Sequence, residues 1–289
     1  MHILLITIIF ASLNSVLLHN VKFKSDASVY KFNTVCSFVW LAILFSLNGF
    51  RLQFGREALI FGLVYGVTQA LFVFFKTMAM NSGPVSVTTL IGNASLLISV
   101  FVSYFLWGEE ISALDVLGLC ILLFALFLTT YKNEYGAKSK RWYVLSFFFL
   151  VFAAGVGISF KAYSKTAVDS TINEMMTVAA AVMLVLYISL YALYGVVLKK
   201  TKQSEKEEGD GWKFILYAIG AGILSCVYNR LNIWLSGVLD AVIFFPIFNG
   251  GVVLLSALLA SLFFKERLQK KQVAGLVLGV LAICIIGIF

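Results

Sequence analysis

The sequence predicts an all-α integral membrane protein with ten transmembrane helices. Of its 289 residues, 61% are hydrophobic and 12% are charged, whereas soluble domains carry roughly 25% charged residues. The mean hydropathy is +0.97. Ten separate apolar segments approach or exceed the length of about 20 residues that a helix needs to cross a bilayer. We predict spans at 3–21, 29–49, 57–80, 84–107, 112–131, 142–165, 172–198, 212–235, 239–264 and 270–289.

The loops that join these spans predict the orientation of the protein. Sixteen Lys and Arg residues lie in connections 1–2, 5–6, 7–8 and 9–10, and four lie at the opposite end. Because cytoplasmic loops are rich in Lys and Arg, we predict that the sixteen face the cytoplasm and that both termini lie outside. The net charge of +8 then reflects topology and contact with anionic membrane lipid, not nucleic acid. We expect a multi-pass protein of the cell membrane, that is, of the bacterial inner membrane or the plasma membrane.

An internal repeat relates the fourth and fifth spans to the ninth and tenth. A shift of 157 residues brings Glu109 onto Glu266 and Gly118 onto Gly275. In each copy an apolar segment ends at a glutamate, and a glycine that permits close helix contact follows nine residues later. Five spans in each half give the halves opposite orientations in the membrane, which is a known plan of transporters. We therefore predict two inverted five-helix repeats, 1–135 and 136–289.

The pattern from Ser99 to Leu119, and its echo from Pro246 through Glu266 to Gly275, resembles the EamA-type repeat of the drug/metabolite transporter superfamily. The resemblance covers nearly the whole chain. It implies a ten-helix, inverted-repeat carrier that moves small metabolites by alternating access. Members of the superfamily carry amino acids, drugs, nucleotide sugars or sugar phosphates, so the resemblance does not select one substrate.

Charged residues inside spans are costly in lipid and mark candidate functional positions. Arg230 lies in the eighth span, Lys76 in the third and Lys161 in the sixth, and His19 lies near the end of the first. A cationic cavity built from Arg230 and Lys76 would bind a carboxylate or phosphate. The competing interpretation is that these long side chains reach the membrane interface. His19 is a candidate ligand or proton carrier, or else a packed interfacial histidine.

Three asparagines complete the predicted substrate-binding set. Asn93 and Asn249 lie beside glycines in the fourth and ninth spans, which are equivalent in the two halves, and Asn229 precedes Arg230. The amide of Asn93 or Asn249 would hydrogen-bond a substrate or bridge two helices. The turn glutamates Glu109 and Glu266 are interpreted as structural groups that cap or pair at helix ends.

The motifs that the chain lacks argue against other classes of function. No HExxH, GxSxG or P-loop sequence occurs, and no span contains paired carboxylates, so we expect no enzyme activity and no cofactor. The four cysteines lack CxxC spacing, which argues against a metal site. No acidic residue is central in a span, which disfavours carboxylate-coupled antiport of cationic drugs.

The sequence therefore predicts a secondary transporter for a small polar metabolite, such as an amino acid or another anionic or zwitterionic solute. Efflux of amphipathic or aromatic drugs is the first alternative, and a non-transporting membrane scaffold or sensor is the second. The partners are the solute and membrane lipid, and the choice between monomer and homodimer stays open.

If Arg230 and Lys76 form a cationic cavity, Arg230→Ala should abolish transport of an anionic or zwitterionic metabolite, because the substitution removes the partner of its carboxylate. Efflux of hydrophobic compounds would largely survive the same change. Solute uptake into vesicles containing either form distinguishes these outcomes.

Overall fold

Helices account for nearly all of the computed structural model, which describes residues 1–21, 23, 25–51, 54–130, 139–167, 171–201, 211–264 and 269–288. Within those residues there are ten helices and no strand. They are α1 (His2–His19), α2 (Asp26–Leu47), α3 (Arg56–Ser82), α4 (Val85–Trp107), α5 (Ala113–Thr130), α6 (Lys140–Thr166), α7 (Ile172–Thr201), α8 (Trp212–Val238), α9 (Ala241–Phe264) and α10 (Lys270–Ile288). All ten are long and apolar enough to cross a membrane, which confirms the predicted number of spans.

Polar caps place the first residues of two helices before the predicted spans. The Ser28 backbone N–H donates to Ser25 Oγ, and the Ser25 N–H donates to Ser28 Oγ. This capping box satisfies two N–H groups that the first helical turn leaves free, so α2 begins at Asp26. Ser139 Oγ likewise accepts from the Trp142 N–H at the start of α6. A search for apolar runs misses such residues because the caps themselves are polar.

The outer surface of the bundle is apolar. Phe105 is 77% exposed and Leu262 is 75% exposed, as expected for side chains that contact lipid. Of the four unpaired cysteines, Cys120 and Cys284 are also exposed, whereas Cys226 is buried. Because helices satisfy their backbone hydrogen bonds internally, such a surface is stable in hydrocarbon. The fold is that of a multi-pass helical membrane protein.

Two large hydrophobic cores hold the helices together, beside a small third cluster around Phe32, Ala218 and Ala221. Each large core draws on both halves of the sequence. The first contains Leu122 and Phe244 and is built mainly from α1, α4, α5, α9 and α10. The second contains Tyr65 and Met176 and is built from α2, α3, α6, α7 and α8. The segments 1–135 and 136–289 are therefore interleaved in the bundle. The predicted boundary between them falls outside the described residues.

Two glycines bring α5 and α10 close together. A Cβ atom on Gly275 would lie 2.7 Å from the Thr129 backbone N and 2.8 Å from the Ala125 carbonyl O. A Cβ atom on Gly118 would lie 2.6 Å from Cγ1 of Ile286. Because backbone atoms have no rotamers, a side chain at position 275 would require the two helices to move apart.

We predict that Gly275→Ala destabilises the protein by about 1–3 kcal/mol, the range for overpacked sites. Gly195→Ala is the matched control, because a Cβ atom on Gly195 of α7 would have no neighbouring atom within 4 Å. Thermal unfolding in detergent compares the two variants. Equal midpoints for both would contradict the close approach of α5 and α10.

Candidate functional site

A buried ion pair joins three segments at one end of the bundle. Gly108 ends α4 in the left-handed conformation at φ +65°, and this turns the chain so that Glu109 points inward. The Glu109 carboxylate pairs with Lys161 of α6 through Oε1. Its Oε2 accepts a hydrogen bond of 2.7 Å from the backbone N–H of Ala241. Lys161 Nζ also donates to the Leu239 carbonyl O at 2.7 Å. We call these four residues, Glu109, Lys161, Leu239 and Ala241, the Glu109 clamp.

Burial makes the Glu109 clamp an all-or-none arrangement. Lys161 is 0% exposed and Glu109 is 8% exposed. Water would therefore solvate neither charge well if the ion pair were broken. The carboxylate sits at the N-terminus of α9, where the helix dipole favours negative charge. Each charged group thus has an ionic partner and a backbone partner. Removal of either side chain would leave the other charge buried without its counter-ion.

Small residues reinforce the same end of the bundle between α6 and α8. Ser164 Oγ donates to the Ile233 carbonyl O at 2.5 Å and lies 3.3 Å from Ser236 Oγ. A Cβ atom on Gly237 would lie 2.8 Å from Cβ of Ser164. These contacts lie within about two helical turns of Lys161 and Leu239. The C-terminal ends of α6 and α8 are therefore packed tightly beside the clamp.

A cavity of about 310 Å³ opens into the other end of the bundle, between α1, α4, α5 and α9. Every residue around it lies toward the end at which α1 finishes at His19. Valines and alanines of α1 and α9 form its apolar lining. Its polar lining consists of Ser15, His19, Thr89, Thr129, Thr130 and Ser256.

Two of the predicted site residues belong to the features described above, Lys161 to the Glu109 clamp and His19 to the cavity. Lys161 lies in the Glu109 clamp, paired with a carboxylate, and does not line the cavity. His19 is exposed at the end of α1, where it borders the cavity. The expectation that Glu109 pairs at a helix end agrees with its place in the clamp. Its repeat counterpart, Glu266, lies outside the described residues.

Arg230 and Asn229 lie away from the cavity, in contacts between helices. Arg230 Nε donates to Asn173 Oδ1 of α7 at 2.7 Å. Asn229 is buried and bridges α8 to α3, because its Oδ1 accepts from the Tyr65 hydroxyl at 3.3 Å. Its Nδ2 donates to the Ser225 carbonyl O. Asn229 therefore bridges two helices through its side-chain amide.

Lys76, Asn93 and Asn249 have fewer polar partners. Lys76 lies over the Phe72 ring, with Nζ 5.8 Å from the ring centroid, and has no carboxylate partner among the described residues. The Nδ2 atom of Asn93 is buried with no hydrogen-bond partner. Asn93 lies about one helical turn deeper than Thr89 of the cavity, and Asn249 about one turn deeper than Val253. None of Lys76, Arg230, Asn93 and Asn249 is among the residues that line this cavity.

The sequence interpretation missed the hydroxyl groups of the cavity. Ser15, Thr89, Thr130 and Ser256 occur within apolar spans, where serine and threonine are ordinary residues. Only the packing of four helices reveals that they share a cavity. No spacing along the chain would have selected them.

Comparison with known proteins supports the fold and gives no function. No family model matches the chain, and no curated protein matches it. A solved structure, described only as the crystal structure of a protein, is similar at a TM-score of 0.74 with 16% sequence identity. The similarity covers 98% of this chain and 94% of the other. At that identity the similarity shows the fold alone.

We predict that Lys161→Met destabilises the protein by about 3–5 kcal/mol, because it leaves the Glu109 carboxylate buried without its cation. Adding Glu109→Gln should recover most of the lost stability, because no uncompensated charge then remains. Lys165→Met changes an exposed lysine on the same helix and is the control.

A double-mutant cycle measures the coupling between the two charges. It compares the thermal unfolding of the native protein, Lys161→Met, Glu109→Gln and the double variant. Additive losses would contradict the ion pair.

Proposed function

We propose that the chain is a secondary transporter that is built from two inverted five-helix repeats of the EamA type and moves a small polar metabolite by alternating access. The observation that carries this proposal is the contrast between the two ends of the bundle. A cavity enters from the His19 end, whereas a buried ion pair and tight helix contacts close the Glu109 end. A carrier that exposes its site to one side at a time has this arrangement in one of its two states.

The pairing of helices supports the inverted repeats. If each helix is exchanged for the one five positions away, the pair α1–α8 becomes α3–α6, and α1–α9 becomes α4–α6. By the same exchange α2–α8 becomes α3–α7, and α4–α5 becomes α9–α10. All eight pairs are in contact. The pairs α2–α7, α4–α9 and α5–α10 are unchanged by the exchange and are also in contact.

The glycine contacts between α5 and α10 support the same symmetry. Gly118 packs on Ile286, and Gly275 packs on Thr129. The shift of 157 residues that relates Gly118 to Gly275 also relates Thr129 to Ile286. The two contacts are therefore equivalent under the repeat, as expected for halves related by a two-fold axis.

Aromatic side chains are the observation that favours drug efflux. Phe75 stacks on Phe148 and Phe152 of α6, with ring centroids 5.1 and 5.4 Å away, and Phe72 contacts Phe149. These rings pack against one another and do not line the cavity between α1, α4, α5 and α9. The efflux alternative therefore has less support than the number of phenylalanines alone implies.

We predict that access to the cavity depends on the Glu109 clamp. In a background without the four native cysteines, Ser256→Cys should react with a membrane-impermeant thiol reagent from the His19 side only. Ser236→Cys, near the clamp, should be unreactive until Lys161→Met is added, and should then react from the Glu109 side. Cysteines at the exposed positions 20 and 110 report the two sides of the membrane.

Lys165→Met again serves as the control and should leave position 236 unreactive. Reaction at position 236 in Lys161→Met, with reduced reaction at position 256, supports alternating access. If position 256 is never reactive, and position 236 is unaffected by the clamp, the scaffold alternative is favoured over transport.

A further inference from the structure

The polar lining of the cavity contains no carboxylate, lysine or arginine among the described residues. His19, its titratable group, lies exposed at the end of α1. A net charge on a solute in the cavity would have no fixed opposite charge beside it, and an unpaired charge is costly away from water. The lining therefore favours a solute without net charge.

The hydroxyl groups of the lining are mostly hydrogen-bond acceptors. Those of Ser15, Thr89 and Thr130 each donate to the carbonyl oxygen four residues earlier in their own helix, at 2.7–3.1 Å. A hydroxyl has one donor hydrogen and two acceptor lone pairs. Because each hydroxyl hydrogen is bonded to the helix backbone, only the oxygen lone pairs are left to accept hydrogen bonds from a solute. These acceptors lie on α1, α4 and α5.

Ser256 adds a polar group from the fourth helix. Its Oγ is buried and has no hydrogen-bond partner, although most buried polar atoms in proteins have one. Apolar side chains of α9, including Val252 and Ala257, lie beside it. The lining of the cavity thus combines several separated acceptors and one buried, uncommitted hydroxyl with a surface that is otherwise mostly apolar.

We infer that this cavity binds an uncharged polyhydroxylated solute of small size. Several acceptors on different helices match a solute with several O–H donors better than an amide with one NH₂ group. The volume of about 310 Å³ is near the lower limit of the roughly 300–1,000 Å³ typical of ligand pockets. The inference deepens the proposed transport function and rests on it for the identity of the cargo.

Equilibrium binding of radiolabelled xylitol to the purified full-length protein in detergent tests the inference. Xylitol should bind, and succinate, glycine and choline should not displace it. Ser256→Ala and Thr89→Val should each weaken binding about three- to tenfold, the value of one hydrogen bond. Ala257→Leu should abolish binding because the larger side chain occupies the cavity.

Ser189→Ala and Thr166→Val are matched controls. Both residues are exposed, and both donate to the carbonyl oxygen four residues earlier, so their loss should leave binding unchanged. Tighter binding of succinate, glycine or choline than of xylitol would overturn the inference, as would the absence of any binding. Xylitol flux into liposomes is measured separately: binding without flux refutes the transport function, and flux of a charged solute alone refutes the polyol.

Discussion

The arrangement of one end of the bundle depends on the pairing of Glu109 with Lys161. Both side chains are buried, and a lone charge is expensive in a medium of low dielectric constant. The pair therefore forms only when the turn after α4, the end of α6 and the start of α9 are in place together. The hydrogen bonds to Leu239 and Ala241 fix the position of the α8–α9 turn relative to that pair. A single ionic contact thus couples segments from both halves of the sequence.

In a carrier that works by alternating access, a closed Glu109 end and an open cavity at the His19 end belong to the same state. The first core contains α1, α4, α5 and α9, the four helices that line the cavity. The second core contains α6, which carries Lys161. Motion of one core against the other would open the Glu109 end and narrow the His19 end. Because each core draws on both repeats, the moving units of this proposal are the two cores.

The spans were predictable from sequence because each is a long apolar run, and the bilayer sets its length. The helix starts at Asp26 and Lys140 were not, because Ser25 and Ser139 determine them by polar capping. Which face of each helix points inward was also hidden. In lipid, the buried and the exposed sides of a helix are both apolar. The spacing of apolar residues therefore does not indicate which side is buried. The sequence singled out Lys161, Glu109 and Asn229. It did not indicate that Lys161 pairs with Glu109 or that Asn229 contacts Tyr65.

The site was predictable only where polarity is rare. Lys76, Arg230 and Lys161 stand out because a charge in a span needs a reason, and the structure supplies a partner for Arg230 in Asn173 and for Lys161 in Glu109. Serine and threonine do not stand out, because they satisfy their own hydrogen on the helix backbone. These two residue types supply five of the six polar residues that line the cavity, and that lining emerges only from tertiary packing.

Distances between spin labels would reveal whether the Glu109 clamp holds the protein in one of two access states. Labels at positions 110 and 238 span the Glu109 end, and labels at positions 20 and 85 span the His19 end. We expect Lys161→Met to add a longer distance between 110 and 238 together with a shorter distance between 20 and 85, whereas Lys165→Met should add neither. A change confined to the Glu109 end, or no change at either end, would contradict the coupling of the two ends.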